Sequence, residues 1–303
     1  MKLTSQKIAI IGAGAVGATT AYAIMLRNLA AGIILVDVNE AKQEGEVMDI
    51  SDGLCFVETG SVATGTFRDA ADADIIIVTA GMAQKPGETR MDLVVKNKEV
   101  VKSIFKQVGK IKSSAIVIMV SNPVDVLTYL AQEIAGLPKN QVFGTGTNLD
   151  TARLRSAVGD HLNVNSQNVH GYVLGEHGDS EFIAWSTVTV GGLSGEGLIS
   201  VGVKKEISLK VKGEAYEIIN RKGATFYGIA TAVADIVEAI LFDQHKILPL
   251  STRIKNWNGV SNVSIGVPAV LGRSGIERVW PVALLKEERD LFIQSAETLK
   301  KYI

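Results

Sequence analysis

Residues Lys7–Asp37 read KIAIIGAGAVGATTAYAIMLRNLAAGIILVD, and this stretch decides the fold. An apolar run of strand length, IAII, leads into GAGAVG. An uncharged helical run, AYAIML, follows, and a second apolar run, GIILVD, closes on an acid. Gly12, Gly14 and Gly17 form GxGxxG directly after the first run, and Asp37 lies twenty positions beyond Gly17. Each glycine has a physical task in a dinucleotide fold: a tight turn, close approach of backbone to a pyrophosphate, and close packing of helix on strand. The amides that open the helix face the anion. Asp37 is placed to accept hydrogen bonds from an adenosine ribose diol. A 2′-phosphate there would meet a carboxylate, and no arginine follows it, so NAD is favoured over NADP. The glycine pattern alone is weak evidence; the strand before it, the helix after it and the acid at the right distance make it strong.

The uncharged segment from Ile8 to Leu26 also invites reading as a leader or a short membrane span, since two lysines precede it. Three glycines and two threonines make it a poor span, and cleavage would remove the turn that Asp37 completes. The chain of 303 residues is long enough for two packed domains. A formal charge of −1 gives no basic footprint for nucleic acid, and no block of like charge suggests a membrane-surface patch. Cys55 is the only cysteine, so no internal disulfide forms, and with four scattered histidines it gives no metal-ligand spacing. A reducing cytoplasm is the simplest home, and Cys55 is expected as a small buried apolar residue.

Outward from Asp37, residues 39–49 have helical spacing. ADIIIVTAG (Ala73–Gly81) and SAIVIMVSNP (Ser114–Pro123) are continuous apolar runs, as expected of parallel strands covered on both faces. Asp92–Val108 between them has the spacing of an amphipathic helix. The alternation implies a Rossmann-like, doubly wound parallel sheet with right-handed crossovers. GMAQKPGETRMD (Gly81–Asp92) breaks the pattern at the carboxyl end of a strand, where open α/β sheets bind ligands; it reads equally as a lid or as a plain surface loop. Val142–Gly146 is a short strand, Leu149–Val158 a helix. The rhythm then changes. VHGYVL (Val169–Leu174), AWSTVTVGG (Ala184–Gly192), VSIGVPAVLG (Val263–Gly272) and IERVWPV (Ile276–Val282) read as strands, with a hairpin turn at GRSG. Helical runs occupy 206–222, 224–242 and 286–302. The expected division is an NAD-binding domain over residues 1–147 and an α+β substrate domain with antiparallel strands over 148–303, sharing one cleft.

A nicotinamide takes or gives hydride, and oxidising an alcohol also needs a base for the hydroxyl proton; histidine is the natural choice near neutral pH. His161 and His245 lie in polar helix-end contexts and His170 in an apolar strand. His177, in GEHGDS, sits in a loop after a strand with glycines and acids beside it. Composition alone favours a loop histidine bonded to backbone.

GAGAVG, VTAGMAQKPGETRMDL, VSNPVD, GTGTNLDTARLR, GEHGD and KGATFYGIA, in this order and over nearly the whole chain, resemble the lactate/malate dehydrogenase family, and within it the bacterial L-lactate dehydrogenase type. The resemblance implies that His177 is the proton donor and acceptor and that Asp150 is its carboxylate partner. It implies that Arg153 clamps the substrate carboxylate with its two-pronged guanidinium, and that Arg90, on the lid, polarises the reacting carbonyl. Asn122 would help bind substrate beside the nicotinamide, and Val16, Gly81 and Asn122 would complete the cofactor contacts begun by Gly12, Gly14, Gly17 and Asp37. Closure would exclude water.

The same resemblance places Gln84 against the substrate side chain, where malate dehydrogenases carry an arginine. A dicarboxylate would leave one charge unpaired there. Thr225 matches the other pocket wall and suits a methyl-sized group, so pyruvate and L-lactate are the expected pair. Met82-Ala83 is less typical and leaves room for a broader 2-hydroxy acid dehydrogenase acting on substrates such as 2-hydroxyisocaproate. Arg155 and His170 match positions that bind fructose 1,6-bisphosphate at a subunit interface in allosteric members, which are usually tetramers; Gly171 and Tyr172 depart from that pattern. A regulator that binds nucleotide without turnover is a different class of function, opposed by the complete set His177, Asp150, Arg153 and Arg90. A metal-dependent glycosidase on a related NAD fold fits poorly without a Cys or His cluster.

Overall fold

The computed structural model describes residues 6–82 and 91–303 in full and the backbone of Arg90. Six parallel strands form the centre: β1 (Lys7–Ile11), β2 (Gly32–Val36), β3 (Val62–Thr64), β4 (Ile75–Val78), β5 (Ile116–Met119) and β6 (Val142–Gly144). Their spatial order is β3-β2-β1-β4-β5-β6, so the winding reverses between β1 and β4, and a crevice opens there at the carboxyl ends of the strands. Register is in step across this point, with Ile8 beside Ile75 and Ile11 beside Val78.

Strand residues alternate faces, so each continuous apolar run feeds two cores. On one face Ile8, Ile10, Ile33, Leu35, Ile75 and Ile77 pack against α1 (Ala15–Leu26) and α9 (Tyr227–Leu241). On the other, Ala9, Ile11, Ile76, Val78, Val117 and Met119 meet α4 (Arg90–Val108) and α5 (Val124–Ile134). Two outer helices complete this half. α2 (Glu40–Asp52) is capped by Asn39, whose side chain accepts from the Lys42 amide, and α3 (Phe67–Ala70) by a Thr66–Asp69 capping box.

The second half begins with α6 (Asn148–Leu162). A three-stranded antiparallel sheet follows, made of β7 (Val169–Leu174), β8 (Phe182–Val190) and β9 (Leu193–Ser194). α7 (Gly195–Leu198) and α8 (Val201–Lys222) lead through a left-handed cap at Gly223 to α9. β10 (Lys246–Arg253), β11 (Ser264–Gly272) and β12 (Gly275–Val279) form an antiparallel meander, and α10 (Lys286–Lys300) ends the fold. The meander joins the parallel sheet through Ser251 beside Gly144, so among the described residues one nine-stranded sheet runs across residue 147. The α/β class and the antiparallel second half are as the sequence indicates. The strand over 246–253 is an addition: its proline at 249 argues against a sheet interior. Its link to β6 is confined to Ser251, so the missing amide of Pro249 costs no ladder bond on that side.

Cys55 departs from expectation. It is exposed, in a single helical turn over Leu54–Phe56, with Sγ 3.8 Å from the Asp52 carbonyl. That turn follows α2 on the outside of the sheet, and none of its three residues is buried.

Candidate active site

The crevice begins at the glycines. Gly12 has φ +112°, and a Cβ there would lie 2.6 Å from the Ala80 amide nitrogen. At Gly17 a Cβ would lie 1.7 Å from the Gly12 carbonyl oxygen, so α1 starts pressed against the turn that precedes it. A Cβ at Gly14 would meet nothing within 4 Å. The loop thus turns its one open glycine outward at the start of α1, a helix with no side-chain cap and no acidic residue in its first turn. Those uncapped amides are what an anionic phosphate requires.

Asp37 pins the loop. Its Oδ2 accepts from the Ala13 amide at 2.7 Å and its Oδ1 from the Asn39 amide at 2.9 Å, which leaves a lone pair on each oxygen for a diol. Gly12, Gly14, Asp37 and Gly81 line a cleft of about 540 Å³. Thr79, Gly81 and Met82 also line a neighbouring cavity of about 330 Å³, which reaches Val16, Asn122, Arg153, His177 and Thr225. The residues therefore fit a dinucleotide, with adenosine at Asp37 and nicotinamide toward His177.

α6 and the loop after β7 build the far wall. Asp150 and Arg153 are one helical turn apart on α6 and both are buried, with side chains 2 % and 7 % exposed. His177 Nδ1 is 2.6 Å from Asp150 Oδ2, and Arg153 Nη1 donates to Asp150 Oδ1 at 2.9 Å. Arg153 Nε also lies 3.5 Å from Glu214 on α8. Nδ1–H of His177 is taken up by the carboxylate, which leaves Nε2 for a ligand.

Burial pushes the His177 imidazole down, but the charge and hydrogen bond of Asp150 outweigh it, and Glu181 and Asp125 add to the rise, so it stands at about 9. Burial pushes the Asp150 carboxyl up, and the cations His177 and Arg153 more than offset this, holding it below the usual range. At neutral pH the pair is imidazolium on carboxylate, an acid ready to protonate a carbonyl oxygen.

Of the expected residues, the structure brings Val16, Asn122, Arg153, His177 and Thr225 into one cavity, with Asp150 directly behind His177. Gln84 and the Arg90 side chain lie outside the described residues, as do residues 83–89 of the expected lid. Arg155 is half-buried on α6, and His170 is exposed on β7, which packs against α6. Burial raises the Tyr172 phenol, and the Arg155 charge partly counters it, so the two positions are near enough to interact electrostatically.

Three further residues at the site stand outside the expected set. Asp125, 1 % exposed, accepts from the His177 backbone amide at 2.8 Å and so fixes the loop that carries the imidazole. Asn97 donates to the Asn122 carbonyl at 2.7 Å and accepts from the Met82 amide at 2.7 Å, tying two strand ends together. Its signal is readable: an amide on the apolar face of α4, between Val94 and Val101. The third is Glu181, beside His177.

A glycine-turn sheet that opens onto a carboxylate-backed histidine and a buried arginine defines an NAD-dependent dehydrogenase of small carboxylates. Residues 6–144 match the NAD-binding domain of the lactate/malate dehydrogenases and residues 147–303 their alpha/beta C-terminal domain, and the chain belongs to that family. It is 47 % identical over 306 residues to an L-lactate dehydrogenase of Clostridium botulinum, covering 99 % of this chain and 96 % of that protein. An L-lactate dehydrogenase of Clostridium perfringens is 44 % identical over the same coverage. A crystal structure of the minor L-lactate dehydrogenase of Enterococcus mundtii, in a ligand-bound form, superposes with a TM-score of 0.95 at 41 % identity, covering 99 % of this chain and 98 % of that one. A lactate dehydrogenase from a Medee basin deep-sea metagenome library gives the same TM-score at 39 % identity and 98 % coverage of each.

Proposed function

We propose that this chain interconverts pyruvate and L-lactate with NAD, His177 serving as the acid and base. The observation that carries this reading is the 2.6 Å contact between His177 Nδ1 and Asp150, beside Arg153 at the inner end of the dinucleotide cleft. The named activities of relatives that match nearly the whole chain support it.

The nicotinamide, when bound, supplies the hydride for reduction and takes it back in oxidation. Arg153 pairs the substrate carboxylate through the N–H groups left free by Asp150 and Glu214. In reduction His177 Nε2 gives its proton to the carbonyl oxygen as charge develops there; in oxidation the neutral Nε2 takes the hydroxyl proton. Asp150 stays ionised throughout and holds the ring through Nδ1. Arg90 polarises the carbonyl, Asn122 binds beside it, and Gln84 and Thr225 face the substrate methyl. Val16 and Gly81 contact the cofactor. The division of labour falls near residue 147, with cofactor chemistry before it and substrate chemistry after it.

Arg155 and His170, on adjoining elements, form the anchor for fructose 1,6-bisphosphate in a homotetramer. The reading places the enzyme in a reducing cytoplasm, where an exposed lone thiol such as Cys55 persists. No described helix is long and apolar enough to cross a membrane.

The test is NADH consumption with pyruvate, 2-oxoisocaproate and oxaloacetate in parallel, with and without fructose 1,6-bisphosphate. Pyruvate should give the highest kcat/KM. An equal or higher value for 2-oxoisocaproate would make this a broader 2-hydroxy acid dehydrogenase. The effector should lower the pyruvate KM or shift dimer to tetramer; unchanged kinetics and unchanged mass by light scattering would remove the Arg155–His170 anchor.

A further inference from the structure

The residue after the GEHGDS turn, Glu181, carries a carboxyl that the roles of His177, Asp150 and Arg153 leave unused. The Glu181 amide donates to the Gly178 carbonyl at 3.1 Å, folding residue 181 back toward the histidine that precedes it. A carboxylate oxygen of Glu181, one of Asp150 and a ring nitrogen of His177 all lie within 4.8 Å of one another. Glu181 is half-buried and lines, with Asp150, Arg153, His177 and Lys212, a cavity of about 460 Å³ that adjoins the substrate pocket.

Other charges surround this group. α6 contributes Asp150 and Arg153; α8 contributes Lys212 and Glu214, the latter already 3.5 Å from Arg153. Lys212 Nζ donates to the Asp179 carbonyl, and Tyr216 Oη donates to the Asp179 carboxylate at 3.2 Å. Asp125 on α5 holds the His177 amide, and Glu176 takes the Ser180 hydroxyl. Asp150 is thus the ionised carboxylate of the cluster, fixed by two cations. A second full negative charge within 4.8 Å of it, in a half-buried site, is disfavoured by both desolvation and repulsion.

We propose that Glu181 is a positioning residue that sets the protonation of His177, standing as the neutral acid when the pocket is at neutral pH and becoming a second carboxylate beside the imidazolium at alkaline pH. Its ionisation keeps the imidazole charged over a wider alkaline range than Asp150 alone would. Burial raises the Glu181 carboxyl, Asp150 raises it further, and His177, Arg153 and Lys212 counter this only in part, leaving it at about 8. Both groups therefore titrate in the alkaline range, Glu181 at about 8 and His177 at about 9. The two groups titrate as a linked pair, each favouring the other's charged form.

This inference rests on His177 as the acid and base, yet it can be tested without turnover. The full-length chain, labelled in histidine, is titrated by NMR from about pH 6 to 10, with His177→Asn identifying the resonance. The wild type should show two inflections in the His177 ring signals. Glu181→Gln should show one, at a midpoint lower by about one pH unit, the size expected from removing an opposite charge at this range. Glu181→Asp, which keeps an ionisable group, should restore the second inflection. In parallel, the alkaline rise of kcat/KM for L-lactate should move to lower pH in Glu181→Gln by the same interval. A packing role would change thermal stability and leave these midpoints in place. An unchanged His177 midpoint in Glu181→Gln, or a single inflection in the wild type, would overturn the proposal. If the glutamine variant does not accumulate, Glu181→Ala removes the same charge and carries the same expectation. A protein with these titrations but no activity on pyruvate would sink the lactate reading and leave this one standing.

Discussion

Replacing Asp150 by Asn tests the core of the site with little change in volume. Asp150 is 2 % exposed, and its Oδ2 lies 2.6 Å from His177 Nδ1. The imidazole stands at about 9 against an ordinary 6.5, which amounts to roughly 3 kcal/mol of preference for the charged ring. Burial opposes that preference while Glu181 and Asp125 support it, so without the carboxylate's charge the ring should titrate well below 9, toward its ordinary 6.5. At about pH 8 the wild type keeps roughly nine-tenths of His177 protonated, and the variant a clearly smaller share. From protonation alone kcat/KM for pyruvate should fall at that pH by up to about 30-fold, the value reached if the ring returns to 6.5, and loss of ring orientation adds to this. The assay is a pH profile of kcat/KM in the reducing direction. The wild-type limb should fall above about 9 and the variant limb at clearly lower pH, toward 6.5. A variant limb that still breaks near 9 would refute the assignment of Asp150 as the group that charges His177.

Further outcomes follow from the same geometry. Gly17→Ala forces a methyl to within 1.7 Å of the Gly12 carbonyl, so NADH quenching titrations should show binding weakened by at least tenfold and Tm should drop; wild-type affinity would mean that the turn is not the phosphate site. Gln84→Arg should move preference from pyruvate toward oxaloacetate, and an unchanged kcat/KM ratio would mean that this side chain does not face the substrate. Asp125→Ala removes the acceptor of the His177 amide and should cost about 1–3 kcal/mol in denaturant unfolding together with a fall in kcat; a loss of stability alone would confine Asp125 to folding. The raised His177 contributes stability that is complete below about 6.5 and lost as pH rises through about 9, whereas the lowered Asp150 contributes stability present above its ordinary 3.8 and lost as pH falls below it. Urea midpoints across this range should decline at both ends in the wild type; in His177→Asn the decline between about 6.5 and 9 should shrink, leaving the part due to Glu181, whose raised carboxyl loses stability as pH rises from 4.5 through about 8.

The sequence by itself determined the dinucleotide half; His177 is singled out only by the resemblance of its motif, not by spacing or composition. Strand runs, helix periods and glycine spacing are local, written within a few residues of where they act, which is why Gly12 to Asp37 could be read directly. Tertiary structure decided what depends on distant partners. Asp125 meets the His177 amide across 52 residues, and no period or spacing encodes that contact. α9 lies late in the chain yet covers the face of β1 and β4, because a two-faced parallel sheet must bury both sides whatever segment supplies the cover. β10 hid behind Pro249 until its pairing with β11 and single link to β6 gave that proline a place. Cys55 is exposed because in the single turn after α2 it is the neighbouring Leu54 that packs against the core. Glu181 stands directly after GEHGDS, but only the fold brings its carboxyl within 4.8 Å of Asp150, since proton affinity depends on which charges share a desolvated space and not on which residues are adjacent in sequence.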